Sequence, residues 1–456
     1  MALKRSGGFG NINYINMSSA TSIKWPGQSP WPEWARIFFP FLFVYFLLFI
    51  EPWGLLGAIP GAGYVLQFYF DGKEWLVNYA NDHFFHAYKL LIPPNGSGDT
   101  SYSWTEIKVN LVLSLVLGII WLLISWKTPD HNKAAYWLKL ILRYTLIINC
   151  LGYGFAKVFL NQMTFPSLSN LSTPLGDLLP MRLSWLFIGY SGKYQFFLGL
   201  VECIAGILLL FRRTATLGAL FAAGIFANVA VMNLSYDIPV KIFSIHLLAM
   251  SVILLAFEYK RLSDIFLYNR PAPASHIFDV VFPKKWMRIT VSLVKYGYVL
   301  FVLYGNVSNG YEGYKRNLTR VEVKPVKSGI YNVSLFVLNH DTLPPLINDT
   351  IRWKDVVFEY GRGSVNTTDT IFWQRYRRGY FNYTTDTVKQ LIQFTRSNWT
   401  FKSDSIFSMR YKIPDSTTLV LWGKIRNDSI YAVLTRSQRH FQLAEKQFHW
   451  LSEYNR

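Results

Sequence analysis

The ionisable residues inside long apolar runs of this sequence include Lys157, Glu202, Lys241 and His246. A charge at bilayer depth costs about 2.5–3.5 kcal/mol on insertion scales, so each needs a partner, water or a function. A carboxylate with two amines and an imidazole could bind a polar headgroup or move protons. The same residues could instead lock neighbouring helices together, since interhelical polar contacts contribute about 0.6–2 kcal/mol. Asn228 and Asn233 lie in the same apolar region, and Gln162, Asp177, Arg182 and Asp237 lie in the connections beside it. These ten residues form the candidate polar pocket. Asn149, Tyr153 and Lys157 recur every fourth residue and share a helix face. Lys241 and His246 are five apart, about 140° around a helix, so they face different neighbours.

The remaining chemistry-bearing residues are few. Cys150 and Cys203, both in apolar runs, suit packing better than redox chemistry. His83 and His86 have a spacing that can ligate a metal on a helix, but no third ligand accompanies them. The chain has no Gly-rich phosphate loop, no HExxH and no nucleophile triad, and no metal site is expected.

These residues must be positioned by elements suited to a bilayer. The 456 residues are 51% hydrophobic and 17% aromatic, and the apolar residues concentrate between Ile37 and Gly305. About seven runs approach the length of a bilayer crossing: 37–56, 107–126, 138–160, 194–211, 215–234, 238–257 and 289–305. In lipid the backbone must satisfy its own hydrogen bonds, so these runs are predicted helices. Trp75, Tyr79, His83 and His86 predict a further helix lying along the membrane surface.

The net charge is +19, but the basic residues are spread over short loops and no nucleic-acid motif accompanies them. Lys127, Lys133, Arg212, Arg213, Lys260, Arg261, Lys284 and Lys285 fall on one side of the expected bundle. The opposite loops hold Lys73, Lys89, Arg182 and Lys193. The positive-inside rule then places the N-terminus in the cytoplasm and the C-terminal domain outside it, with the polar residues in the outer half of the bundle.

From about Tyr311 the pattern changes to short alternating runs, predicting strands at 330–338, 356–360, 371–376, 406–413, 418–421 and 430–434. A short helix is expected over 386–395. Arg375, Arg377, Arg378, Tyr380 and Tyr383 read as a basic, aromatic surface. The expected fold is therefore a mainly α-helical polytopic membrane bundle with a small C-terminal antiparallel β sheet or barrel. Its parts are a flexible tail (1–36), two spans with a long outer loop (37–137), a four-helix core (138–258), a basic inner loop with the last span (259–305) and an extracytoplasmic β-rich domain (306–456).

The core resembles the DoxX family of bacterial membrane proteins, in its larger members with extra spans and a soluble tail. The resemblance is carried by Tyr153-Gly154-Phe155-Ala156-Lys157 with Gln162; by Gly176-Asp177-Leu178-Leu179-Pro180-Met181; by Phe187-Ile188-Gly189-Tyr190-Ser191; by Arg212-Arg213-Thr214-Ala215-Thr216-Leu217-Gly218-Ala219; and by Tyr236-Asp237-Ile238-Pro239-Val240-Lys241-Ile242-Phe243-Ser244. The Ser97-Gly98-Asp99-Thr100 loop and the ending Phe448-His449-Trp450-Leu451-Ser452-Glu453-Tyr454 are similar to the same larger group. The resemblance implies a bacterial inner-membrane protein, a redox- or quinone-associated subunit with a respiratory partner, and quinone as the cofactor. It transfers no catalytic residue. A transporter or lipid-handling protein, and a membrane anchor or assembly factor acting through its external β domain, fit the same residues.

Overall fold

The computed structural model describes residues 31–94, 98–126, 128, 130–272, 284–346, 351–396, 405–446, 448–451 and 453. Most of the expected tail, with Trp25, lies outside these residues, as do Ser97, part of the basic loop, Ser452 and Tyr454. Two architectures follow one another along the chain, a helical bundle and a closed β-barrel.

The bundle contains α1 (Glu33–Ile50), α2 (Ala62–Ala80), α3 (Ser101–Ile124), α4 (Asn132–Val158), α5 (Leu168–Leu171), α6 (Pro180–Tyr190), α7 (Gly192–Leu210), α8 (Ala215–Ser235), α9 (Lys241–Ala256), α10 (Tyr259–Phe266) and α11 (Lys285–Leu318). Among the described residues, six of these are long and apolar enough to cross a membrane: α1 with its following turn, α3, α4, α7, α8 and α11. The sixteen-residue α9 reaches that length only together with α10, across a bend of 79°. Helices begin where side chains replace missing backbone partners. Thr100 accepts the Ser103 N–H at α3, Ser191 the Tyr194 N–H at α7, and Pro180 occupies the first turn of α6. Glu51 ends α1 in a left-handed conformation (φ 49°), so the chain turns before Pro52 instead of continuing to residue 56.

Contacts fix two ends of the bundle. At one end, Trp31 donates to Asn132 at 2.9 Å, Phe39 stacks on His131, and the Lys139 ammonium lies 5.0 Å from the Phe257 ring. At the other, α4 ends beside α7, Asp99 before α3 meets the start of α9, and Asn161 donates to the Gly310 carbonyl of α11. Successive long helices therefore run in alternating directions. The core is formed by Leu138, Leu142, Leu146, Leu151, Leu209 and Leu247, all nearly solvent-free. Outward faces are equally apolar: Leu111, Leu115, Ile119 and Leu123 on α3, and Leu293, Leu300 and Phe301 on α11, are exposed.

A close backbone approach in the bundle joins α4 and α7. A Cβ built on Gly199 would lie 2.5 Å from the Gly154 carbonyl oxygen and 2.7 Å from the Val158 nitrogen. Both obstacles are backbone, so neither can rotate away. Gly199→Ala is expected to push the helices apart and cost about 1–3 kcal/mol, the usual range for overpacking. Thermal unfolding of the detergent-solubilised chain measures this.

The barrel comprises β1 (Gly329–Leu338), β2 (Asp341–Thr342), β3 (Asp355–Glu359), β4 (Arg362–Val365), β5 (Trp373–Arg375), β6 (Arg378–Asp386), β7 (Leu391–Arg396), β8 (Ser405–Lys412), β9 (Thr418–Ile425) and β10 (Asp428–Arg436). Eight strands follow one another antiparallel, β1-β3-β4-β6-β7-β8-β9-β10, and β10 pairs back onto β1 from Tyr331↔Arg436 to Leu338↔Ile430. Closure leaves no unpaired edge in this ring, which removes a route to aggregation. β2 and β5 are short additions on β1 and β6. Alternation along the strands sends Phe336, Phe358, Phe381, Phe394 and Met409 inward, and the interior is filled by these side chains. Phe394 and Phe407 stack with centroids 4.7 Å apart.

Four expectations need correction. Glu33–Arg36 are helical and do not belong to a tail. The last helix does not end at Gly305 but continues to Leu318, because Asn161 and Phe159 of the α4 end pack against it. The segment 386–395 is not a helix: Asp386 ends β6 and caps a turn by accepting from Val388 and Lys389, and β7 follows. The Arg362-Gly363 pair, which reads as part of a turn, belongs to β4.

Candidate functional site

Two charges buried within the bundle are Lys157 on α4 and Glu202 on α7. The ammonium donates to both carboxylate oxygens at 2.8 Å. The Gly154–Gly199 approach brings the two backbones close enough for this pairing. Of the two expected partners for Glu202, Lys157 and Lys241, the fold selects Lys157. Its Nζ also lies 5.6 Å from the Tyr153 ring, as the shared helix face predicts. Gln195, 1% exposed, reaches the Lys157 carbonyl at 3.5 Å with its Nε2. Its Oε1 is buried without a hydrogen bond, and so is Oε1 of Gln162. Buried amide oxygens ordinarily accept a hydrogen bond.

The other expected pocket residues separate into different contact sets. Lys241 lies at the start of α9, where its Nζ bonds Asp237 at 2.7 Å and lies 3.8 Å from Asp99. Asp99 also accepts the backbone N–H groups of Lys241 and Ile242 at 2.7 and 3.0 Å. A carboxylate on the first N–H groups of a helix is stabilised by orphan donors and helix dipole together. Asn233 closes the α8–α9 turn, accepting Ile238 N–H with its backbone carbonyl and donating to Val240. Asn228 is exposed on α8 and joins none of these groups.

His246 faces α1, as its phase relative to Lys241 requires. Its Nδ1 lies 2.6 Å from the Ile242 carbonyl, and its Nε2 2.6 Å from the Tyr45 hydroxyl. A carbonyl can only accept, so Nδ1 carries the proton, and neutral Nε2 accepts from Tyr45. Phe49 stacks on the ring at 3.7 Å. A second ionic group joins α1, α2 and α3: Lys73 bonds Glu51 at 3.0 Å and Glu106 at 2.8 Å, and Tyr69 donates to Glu51. Burial alone would lower the Lys73 pKa, but the two carboxylates raise it above its ordinary value.

Asp177 and Arg182 do not enter the bundle. They belong to the α5–α6 segment, a platform on which the barrel is seated. Asp177 pairs with Arg377 at 3.2 Å, and Arg182 donates to the Tyr376 hydroxyl at 3.0 Å. Glu359 accepts the Leu168 N–H at 3.2 Å, and Tyr190 donates to the Lys446 carbonyl at 3.0 Å. A buried chain completes the junction. Arg378, 1% exposed, donates to the Asp355 carboxylate and, at 2.8 Å, to the Ser364 hydroxyl, which donates at 2.8 Å to Ser169 of α5.

The expected basic, aromatic surface is exposed only in part: Arg377 is exposed and Arg375 and Tyr380 are half-buried. Tyr383 is interior, Arg378 is buried between the barrel wall and α5, and Arg377 pairs with the platform. The reason is strand phase: β6 sends Phe381 and Tyr383 into the barrel, whereas Arg378 faces outward beside Ser364 and is covered by the platform through Ser169.

Burial raises the Glu359 carboxyl above its ordinary range, partly offset by the Leu168 N–H and by Arg320. A folded pKa above the unfolded one means that stability from this group is fully present below about 4.3. It is lost as pH rises through the raised folded value. Glu359→Gln keeps an acceptor for Leu168 without the charge. The variant is expected to unfold at an equal or higher temperature at pH 7 and to show a flatter Tm profile between pH 4 and 8.

Among the described residues no group of three His, Cys, Asp or Glu side chains could hold a metal. The best-defined cavities are a space of about 40 Å³ at a barrel mouth, beside Val326 and Tyr331, and a shallower apolar crevice between α4 and α11. Neither adjoins Lys157 or Glu202.

Fold and site together define a bundle of apolar antiparallel helices with a filled β-barrel seated at one end. Comparison with known proteins places it further. The uncharacterized protein YwoB of Bacillus subtilis (strain 168) is 35% identical over 124 residues, covering 27% of this chain and 79% of YwoB. The chain belongs to the family of YwoB. No family model and no solved structure matches it.

Proposed function

We propose that the chain is an integral membrane protein whose bundle anchors the β-barrel and holds it in a set orientation, so that the barrel meets a partner at the membrane surface. The carrying observation is the junction with α5 and α6, where Asp177, Arg182, Leu168 and Ser169 each engage the barrel. Exposed apolar faces on α3 and α11 support insertion, since soluble monomers seldom expose such continuous stripes. The DoxX-like residues Gly176–Met181 fall in this platform and tie the resemblance to the mount. In this reading the barrel lies outside the cytoplasm of a bacterial cell. Crosslinking in native membranes tests the function. Asp177→Arg should weaken the seating and reduce a barrel-dependent crosslinked partner while the chain stays in the membrane. An unchanged partner yield opposes the reading.

A redox- or quinone-associated role is favoured by a different observation. Oε1 of Gln162 and Oε1 of Gln195 are buried acceptors without donors, and both residues hydrogen-bond the end of α4, Gln195 at the Lys157 carbonyl itself. A quinol hydroxyl would supply such a donor. Purified protein should then retain quinone, and Gln195→Leu should release it. Full retention in Gln195→Leu would rule this site out.

A further inference from the structure

The barrel wall opposite the platform carries an exposed surface of mixed character. Ser364 of β4 and Tyr376 beside β6 hold the seat. In the eight-strand ring β9 lies four strands from β4 in either direction. The outward side chains of β8, β9 and β10 therefore face away from the helices.

Strand register assembles those side chains into one patch. Arg410 pairs with Trp422, and Trp422 with Tyr431. Two residues along, Lys412 opens a second row that ends on the cross-strand pair Val433 and Leu335. Lys424 follows Trp422 on the same face of β9. Directly opposed side chains stand about 5 Å apart, and successive ones on a strand face about 7 Å, so the members are neighbours. Arg410, Lys412, Lys424, Tyr431 and Leu335 are exposed, and Trp422 and Val433 are half-buried. Among the described residues none of the three cations forms an ion pair or a side-chain hydrogen bond. The carboxylates of the adjoining turns are engaged elsewhere: Asp415 accepts from Thr417 and Thr418, and Asp428 from Asn339.

An exposed cation by itself is ordinarily a solvated one. Here three of them border aromatic and aliphatic side chains, and Trp, Tyr and Arg are enriched where proteins meet. The β8 side of the patch calls for carboxylates and the β10–β1 side for apolar groups. From Arg410 to Leu335 the patch crosses three strand spacings, about 14 Å, the length of about four extended residues. We propose that this wall binds an extended peptide segment of a partner protein, with acidic residues at Arg410, Lys412 and Lys424 and apolar residues at Tyr431, Val433 and Leu335. Trp422 lies between the two halves. A bilayer that holds the helices lies on the seated side of the barrel, and a nucleic acid would leave Val433 and Leu335 unused. The proposal rests on the reading that the barrel meets a partner, and it names the chemistry of that partner.

The probe is a labelled ten-residue peptide of three Glu followed by Leu and Phe residues, titrated against the full-length chain in detergent and followed by fluorescence anisotropy. It should bind, and more weakly as salt is raised. Arg410→Gln with Lys412→Gln should weaken binding about fivefold, and Arg410→Lys should keep most of it. Trp422→Ala should weaken it at least about tenfold, the effect of a central aromatic anchor. The charge variants change exposed side chains and should leave the melting temperature unaltered. Unchanged binding in Arg410→Gln with Lys412→Gln, or equal binding of polyglutamate or oligothymidine, would overturn the proposal. Photocrosslinkers on Thr435→Cys of this wall and on Thr384→Cys of β6 then separate the two readings in native membranes. A partner captured from Thr435→Cys and displaced by the probe peptide supports the site. A partner captured only from Thr384→Cys overturns the site and leaves the partner reading standing. Capture from neither position, with no peptide bound, overturns both.

Discussion

Glu202→Ala is expected to destabilise the bundle by about 3–5 kcal/mol, because it leaves the Lys157 ammonium buried against α7 without its counter-charge. Two direct bonds are lost, and the Gly154–Gly199 packing leaves little room for water to replace them. Lys157→Ala should be similarly damaging, since it strands the carboxylate. The double variant Lys157→Met with Glu202→Leu should recover most of that loss, because well-packed apolar residues replace buried ion pairs at little net cost. Denaturation in detergent, arranged as a double-mutant cycle, measures the coupling. Near-additive losses would mean that the pair does not lock α4 to α7. A double variant that is stable yet inactive in a quinone assay would assign the charges to chemistry.

The second large effect is expected in the barrel wall. Arg378 is nearly solvent-free and bonds Asp355 and Ser364 simultaneously. Arg378→Ala removes a charge partner from Asp355 and opens a cavity where a long side chain was packed. A loss of about 3–5 kcal/mol is expected, against a total stability of about 5–15 kcal/mol for a typical domain. Barrel unfolding should therefore move to markedly lower temperature. Ser364→Ala should cost less, about 1–3 kcal/mol, as it leaves acceptor and donor atoms of Ser169 and Arg378 unsatisfied. Because Ser169 belongs to the platform, this smaller change should also loosen the seating. Hydrogen exchange of the β-strand amides during thermal unfolding follows the barrel, whose core includes Trp353 packed near Phe336 and Phe372.

The bundle was legible because its signal is long and redundant. Runs such as 107–126 and 215–234 agree with α3 and α8 within a few residues at most ends. Helical phase also separated Lys241 from His246 correctly. Strands with plain alternation, such as β8 and β10, could be read in the same way. β6 and β7 also alternate, Phe381, Tyr383, Ile392 and Phe394 inward with Asn382 and Gln393 outward, but Arg378 and Tyr380 read as surface and 386–395 as a helix. The pocket was less legible than the bundle. Sequence places polar residues in depth, but it does not say which face of one helix meets which neighbour. Thus Asp177 and Arg182, expected in the pocket, support the barrel, and Asn228 faces outward. Asp99 lies more than a hundred residues from the helix it caps, in a loop noticed for its resemblance and not for its charge. Glu51, Lys73 and Glu106 could be paired only after α2 had folded back across α1 and α3. Gln195 carried the right helical phase beside Glu202, and its unpartnered oxygen emerges only from packing.

The central claim is a membrane-crossing bundle with its barrel at one end and the α7–α8 turn at the other. It is tested most directly by thiol accessibility in intact cells. Both native cysteines, Cys150 and Cys203, are buried and give little background with a membrane-impermeant reagent. Thr435→Cys on the exposed face of β10 should label in intact cells, whereas Arg213→Cys in the turn should label only after permeabilisation. Labelling of both positions from the same side would contradict the account.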